Sequence, residues 1–366
     1  MDKYAVVSSN THPDYAPFLP LTTLFWRSVG YKTICLLTSD FAGQGGEGRV
    51  EDPRTCDPRD CDPRVCDPRV CDPRVCDPRD CDPRVCDPRV CDPRVCDPRA
   101  CDPHGPEGVT GYIVDCLRRQ SGVVIHEVGD VEGFKTSTLA QVSRLAAAAV
   151  PVEDDAYLLT GDVDMLPFSP VWFNQQDHGA AFHVFCADVY GPPANKHYQM
   201  CYLGGTRRAW KSLMGMGDGS LDAELLKLLR GRSDGWFVDE AILAEKMGVW
   251  PSWKECQLIS RGYPPGGYAP CRLDRGCWQL PGDLSTLIDC HSARPLEANW
   301  PVIGRLADQF LPADLRKLAH DYVNDLVVAR QGLGGPQSRP QGFGEPQARP
   351  QGRGGPQARP QRGYSS

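Results

Sequence analysis

The sequence predicts an α/β fold: an open, mostly parallel sheet flanked by helices, with a mixed-sheet second half, interrupted by a disordered repeat insertion. Three observations lead there. Strand-like apolar runs alternate with helix-spaced runs four times before residue 165. Two stretches are too poor in apolar residues to offset chain entropy by forming a core. One is a pentapeptide array over 51–105 with proline at every fifth position from Pro53 to Pro103, the other three decapeptides over 331–360. What remains, 1–43 and 109–330, is roughly 265 residues, enough for one well-buried domain. The expected organisation is therefore a single domain over 1–43 and 109–330, a disordered insertion over 44–108, and a disordered Gly/Pro/Gln/Arg tail over 331–366.

Each element follows from its pattern. Residues 3–10, "KYAVVSSN", are β-branched and apolar, then polar: a buried strand running into a loop. "FLPLTTLFWRSVG" (18–30) spaces its apolar residues as a helix and stops at Gly30. "YKTICLLTS" (31–39) is a second strand, "GYIVDCLRRQSG" (111–122) a helix closed by Gly122, and "VVIHEV" (123–128) a third strand. "STLAQVSRLAAAAV" (137–150) is a helix capped by Ser137 or Thr138, and "AYLLTGDVD" (156–164) the fourth strand. Beyond it come short apolar runs at 179–187 and 200–206, helices at 220–231 and 238–248, and a Gly/Pro/Cys-rich stretch leading to "LIDCHSARP" (287–295).

Composition narrows the function classes. The formal net charge is −7; the array contributes 14 acids against 10 arginines, and the tail is net basic by four. No basic face points to nucleic acid. No apolar run approaches the ~20 residues that span a bilayer. "MDKYAVVSSN" does not resemble a signal peptide, so a soluble, cytoplasmic protein with reduced thiols is expected. Ten of the 18 cysteines sit in the array, always with four residues between them and a proline in each unit. That spacing and the extended geometry proline imposes differ from a closed zinc site.

The chemistry-bearing stretch is "AYLLTGDVDMLPF" (156–168), an apolar run that ends in Gly161 and then Asp162 and Asp164. In an extended chain these carboxylates share a side, and they repel unless a cation lies between them. A pair at a strand end suits Mg²⁺ or Mn²⁺ completed by phosphate oxygens. A haloacid-dehalogenase motif is excluded by its position after the fourth strand and by Leu166. A calcium loop is excluded by Leu166, Pro167 and Phe168.

The order of elements resembles the GT-A-fold glycosyltransferases. "YAVVSSNTHPDYAPFLPLTTLFWRSVGY" looks like their opening strand, nucleotide loop and helix, and "LLTGDVDMLPF" like their DXD motif. "WFVDEAILAEKM" resembles the acidic segment facing the acceptor, and "IDCHSARP" the late histidine that closes the metal site. Closest in character is the small soluble type of large algal DNA viruses and some microbes. The resemblance implies a single GT-A-like domain, a UDP- or GDP-linked sugar donor, a glycan or glycoprotein acceptor, and Mn²⁺ or Mg²⁺. It makes Asp164 the principal metal ligand, Asp162 a ligand of metal or ribose, and His291 a third ligand. Ser9, Asn10 and Thr11 would face base and ribose.

Arg144, alone in a small apolar helix just beyond Lys135, would reach the nucleotide or a phosphate, and Arg272, Arg275 and Arg294 would offset diphosphate charge. Asp239 and Glu240 open a helix, where the dipole favours acids; one of them would also serve as base or grip the donor sugar. Gly204 and Gly205 would let backbone approach a sugar, and Trp236, Trp250, Trp253 and Trp278 would stack on sugar faces. Two other readings stay open: a metal-dependent phosphotransferase or nucleotidyltransferase, and a non-enzymatic protein whose cysteine array is the working part.

Overall fold

The computed structural model describes residues 1–42, 108–175, 179–187, 198–260, 272–276 and 278–332. The pentapeptide array and the decapeptide tail lie outside them. Strand β1 (Lys3–Ser9) leads through a 3-10 turn at Ala16–Phe18 into α1 (Leu19–Ser28). Gly30 then takes a φ of +92°, the left-handed conformation that ends a helix, and β2 (Lys32–Thr38) and the single turn α2 (Ser39–Ala42) follow. Next come α3 (Gly108–Arg119), β3 (Val123–Val128), α4 (Thr136–Ser143), β4 (Tyr157–Thr160) and β5 (Met165–Pro167). The second half holds α5 (Pro170–Phe173), β6 (Phe182–Phe185), β7 (Leu203–Thr206), α6 (Arg207–Met214), α7 (Leu221–Leu229) and α8 (Val238–Val249). It closes with β8 (Cys256–Ile259), β9 (Arg272–Asp274), β10 (Asp289–His291), α9 (Leu296–Phe310) and α10 (Ala313–Gly332). Ser169, Thr206 and Ser220 each accept a backbone N–H at the start of α5, α6 and α7, which satisfies donors the helices leave unpaired.

Seven strands form the main sheet in the order β3-β2-β1-β4-β7-β6-β8, and β7 alone runs against the rest. Both faces are covered. Along β1, Ala5 and Val7 enter one core with α1, α3, α9 and α10; Tyr4 and Val6 enter the other with α4, α6, α7 and α8. That is why the central strands read as continuous apolar runs. Trp26 anchors the first core, edge-on to Tyr31, Phe173 and Tyr202 at 5.1–5.5 Å. A second, three-stranded sheet, β5-β10-β9, sits beside it. Among the described residues no helix is long and apolar enough to cross a membrane.

The structure departs from the sequence pattern in four places. The fourth strand ends at Thr160, not Asp164, so Asp162 and Asp164 lie in a turn that closes from Met165 N–H to the Asp162 carbonyl at 3.1 Å. The turn passes the chain from the main sheet to the small one. The helix expected over 137–150 is α-helical only to Ser143 and tightens to 3-10 pitch from Arg144 to Ala149. The helix after the insertion starts at Gly108, three residues before the pattern suggests. Helices α9 and α10 were not anticipated, although Ile303, Leu306, Leu315, Ala319, Tyr322 and Leu326 bury a helix-spaced stripe against the first core.

Helix α10 reaches back to the start of the chain. Tyr322 donates to the Pro17 carbonyl at 2.7 Å, and Arg330, paired with Glu297 on α9, donates to the Pro13 carbonyl at 3.1 Å. The loop between β1 and α1 is thereby clasped from outside.

Gly204 and Gly205 sit in β7 where a side chain has no room. A Cβ on Gly204 would overlap the Tyr157 hydroxyl, and one on Gly205 would come within 2.6 Å of Phe182. Gly204→Ala is expected to destabilise the fold by about 3 kcal/mol, read from denaturant melts, because the buried Tyr157 ring must leave its place.

Candidate active site

A cavity of about 430 Å³ opens where β1 and β4 end. Crevices at the carboxyl ends of parallel strands are where such sheets bind ligands. Its walls come from Ser8 and Ser9 at the end of β1, with Asn10 and Tyr15 beyond it; Ser137, Gln141 and Arg144 of α4 and its extension; Asp162 to Asp164; Gln199 to Cys201 ahead of β7; Trp236, Phe237, Asp239 and Glu240 at the start of α8; and Arg272, Asp274, Arg275 and His291 in and beside the small sheet.

Strand register brings the far residues together. In β10, His291 lies opposite Met165 of β5 and Asp274 of β9, and the amide of Ser292 donates to the Asp164 carbonyl at 2.8 Å. His291 is consequently held between two carboxylates, Nε2 3.5 Å from Asp164 Oδ2 and Nδ1 3.5 Å from Asp274 Oδ2. Burial works against the imidazolium, but these contacts outweigh it and lift the His291 pKa to about 9. In return the histidine holds Asp274 down at about 2. Arg275 and Arg294 also lie on Asp164 Oδ2, at 3.3 and 3.7 Å, and the Arg294 guanidinium covers the Tyr15 ring at 4.2 Å. The three arginines thus separate: Arg272 is consumed by a two-pronged pair with Asp289, its cross-strand neighbour, at 2.9 and 2.8 Å.

Arg144 sits at the point where α4 tightens and is almost wholly buried. One guanidinium nitrogen donates to Asp162 Oδ1 and to the Gly161 carbonyl; the other donates to Asp239 Oδ2 at 3.0 Å. A buried cation thus ties the turn after β4 to the first turn of α8. Burial would raise Asp162, but Arg144 outweighs it and keeps the carboxyl below its usual range. Asp239 is shifted the other way, because burial raises it by more than Arg144 lowers it. Its Oδ1 also accepts the Glu240 amide at 2.9 Å. Arg144, expected to reach a phosphate, is committed to these carboxylates.

The remaining expected residues divide. Ser9, Asn10, Asp162, Asp164, Asp239, Glu240, His291 and Trp236 line the cavity. Thr11 does not, since Asp40 holds its amide and hydroxyl at 3.1 and 2.8 Å. Gly204 and Gly205 are also away from the cavity, where their missing side chains serve the packing of β7. Gly161 lies against Trp26, 3.1 Å from where a Cβ would stand. Lys135 pairs with Asp234 on the surface, Trp250 packs on Phe182, and Trp253 stacks on Tyr198. Trp278 packs against the first core. Tyr15, Gln141, Phe237 and Asp274 line the cavity and were not foreseen. Asp274 had a readable signal, a carboxylate between two arginines in "RLDR"; the other three had none.

The residues present accommodate a divalent cation in part. Among the described residues no three His, Cys, Asp or Glu side chains gather around one point. Asp164 and His291 nevertheless present a carboxylate oxygen and an imidazole nitrogen 3.5 Å apart, near the about 3.0 Å that separates neighbouring ligands of a six-coordinate Mg²⁺ or Mn²⁺. His291 carries its second nitrogen on Asp274, the arrangement that orients metal-binding imidazoles. Mg²⁺ is commonly held by one or two protein ligands with phosphate oxygens completing the shell. Both acids of the motif are partly committed, Asp162 through Oδ1 to Arg144 and Asp164 through Oδ2 to His291, Arg275 and Arg294.

No protein-family profile matches the chain, and neither does any curated protein. Among solved structures it is similar to the galactosyltransferase LgtC in complex with donor and acceptor sugar analogs, at 10% identity over 86% of this chain and 99% of that one, TM-score 0.40. It is similar also to the glycosyltransferase GlyE of Streptococcus pneumoniae, at 11% identity over 90% of this chain and 62% of that one, TM-score 0.38. Both of these are glycosyltransferases.

Replacing Arg144 by methionine leaves Asp239 as an uncompensated charge in the interior, and the expected cost is about 3 kcal/mol. Asp162, 34% exposed at its side chain, is rescued by water. The pair Arg144→Met with Asp239→Asn is therefore expected to be more stable than Arg144→Met alone, measured by a double-mutant cycle of chemical denaturation.

Proposed function

We propose that this chain transfers a sugar from a UDP- or GDP-linked donor to a hydroxyl of a glycan or glycoprotein acceptor, with the help of Mn²⁺ or Mg²⁺. The observation that carries the reading is the division of one cavity by charge. On its small-sheet side, Arg275 and Arg294 lie on Asp164, and His291 sits between Asp164 and Asp274; on its α8 side, Asp162, Asp239 and Glu240 outnumber Arg144. A nucleoside diphosphate suits the first side, an uncharged polyhydroxyl ring the second.

Ser8, Ser9, Asn10 and Tyr15 line the end of the cavity where a nucleoside would rest. Asp164 and His291 would hold the cation beside the diphosphate, with Asp162 adjoining. When bound, the ion supplies positive charge that stabilises the departing diphosphate. Arg275 and Arg294 add two fixed cations at the same place, so the charge that develops as the donor bond breaks finds donors already positioned. In the transfer, the acceptor oxygen forms a bond to the anomeric carbon. The bond from that carbon to the diphosphate oxygen breaks, and its electron pair leaves with the diphosphate. The hydroxyl proton passes to a base. Asp239, with its oxygens on Arg144 and the Glu240 amide, orients Arg144; Glu240 lines the same wall and by that position is the base or the grip on the sugar.

Thermal melts with UDP and with GDP, each with and without Mn²⁺, test the reading. One nucleotide is expected to raise the melting temperature, and chelator to abolish the shift. With a donor that turns over, Asp164→Asn is expected to lower kcat/KM by at least about a hundredfold. Deletion of 51–105 is expected to leave turnover intact. Absence of any nucleotide shift, or activity that survives Asp164→Asn and is lost with the array, overturns the proposal. Release of pyrophosphate from a nucleoside triphosphate would place the chain among nucleotidyltransferases instead.

A further inference from the structure

We infer that Trp236, with Phe237 edge-on beside it, forms an aromatic platform on which a pyranose ring of the acceptor stacks. The inference rests on the transferase reading and goes beyond it by naming where the second substrate lies. Both side chains line the cavity, yet they are 60% and 55% exposed, among the most exposed large apolar residues of the described chain. Their rings stand edge to face, 6.3 Å apart at 84°.

Local stability does not account for Phe237. It occupies the N-cap of α8 without a capping hydrogen bond, a position that favours Ser, Thr, Asp or Asn. Its φ of +68° is left-handed, which disfavours a bulky aromatic residue. Burial returns little, because more than half of the residue stays exposed. The loop is nonetheless fixed from below. Asp234 accepts the Lys135 amide at 3.1 Å and the Thr138 hydroxyl at 2.6 Å, and that hydroxyl also reaches the Gly235 carbonyl. Two unfavourable local choices on an anchored loop display two rings to solvent beside the cavity.

The neighbours identify the occupant. Asp239 and Glu240 follow directly and face the same space. A pyranose has an apolar C–H face for an aromatic ring and a rim of hydroxyls that donate to carboxylates. A nucleotide is the poorer candidate here. Its phosphates would meet acids at this end and find arginines at the other, where Tyr15 already provides a ring.

The test uses the full chain labelled with fluorotryptophan, with the Trp236 fluorine resonance assigned from Trp236→Phe. With Mn²⁺ and saturating UDP or GDP present, lactose, maltose or cellobiose is expected to move that resonance. Trp236→Ala is expected to raise acceptor KM about tenfold while nucleotide affinity stays within about twofold. Phe237→Gly, which suits the backbone, is expected to raise acceptor KM without lowering the melting temperature. A Trp236 resonance that moves with nucleotide and not with saccharide overturns the inference and leaves the transferase standing, as does a resonance that no saccharide moves. Failure of any nucleotide to bind overturns both. A lowered melting temperature in Phe237→Gly makes that ring structural and removes it from the platform.

Discussion

Three residues of β10 set the geometry on which the site depends. Because that strand pairs antiparallel with β5 and parallel with β9, a single register decides four neighbours at once. It puts His291 between Asp164 and Asp274, sets Arg272 against Asp289, and lays the Ser292 amide on the turn that carries the acid pair. A slip by one residue would turn every side chain of β10 to its other face and dissolve all of these contacts. The small sheet is thus less a stabilising layer than a jig, holding residues from three distant parts of the chain against the edge of the larger sheet.

Arg144 performs the matching task on the opposite wall. A buried guanidinium is costly unless it is paired on more than one side. Here the pairing spans two elements, so the cost of burial is offset only while the turn after β4 and the start of α8 keep their places. The two walls are coupled through Asp162 and Asp164, one fastened to Arg144 and the other to His291. Val163 between them is buried, and its carbonyl accepts the Thr22 hydroxyl of α1. The acid pair is therefore pinned from three directions, which suits a site whose charges must be in position before a ligand arrives.

Much of this architecture was readable in the residues. The strands β1 and β2 announce themselves because both of their faces are buried and mostly apolar residues fill them, and β3 at the sheet edge because its first half is a β-branched run. The lone arginine of "AQVSRLAAAA" and the late histidine stood out because a polar residue in apolar surroundings needs a reason. Other features were misread or missed where the cause is not local. "TGDVD" continues an apolar strand in sequence, and only the change of sheet at Gly161, packed on Trp26, shows why it must turn. Gly204 and Gly205 suggested an approach to ligand, whereas Tyr157 and Phe182 claim the space. Tyr15 acquires meaning only from Arg294, and Phe237 only from its backbone angle. The stripe on α9 and α10 lies within the expected domain, but no element was assigned to it beyond "LIDCHSARP".

The clasp of α10 on the first loop carries a consequence for how the protein is made. The hydrogen bonds from Tyr322 and Arg330 join residues 305 and 317 positions apart. On the ribosome, the segment holding Tyr15 emerges about three hundred residues before the helix that secures it. Until then one wall of the cleft has no outer support, and the apolar surface awaiting α10 stays open to chaperones or to neighbouring chains. Vectorial synthesis thus leaves the loop between β1 and α1 unsecured until α10 has emerged, and a chain cut short before α10 lacks that clasp altogether.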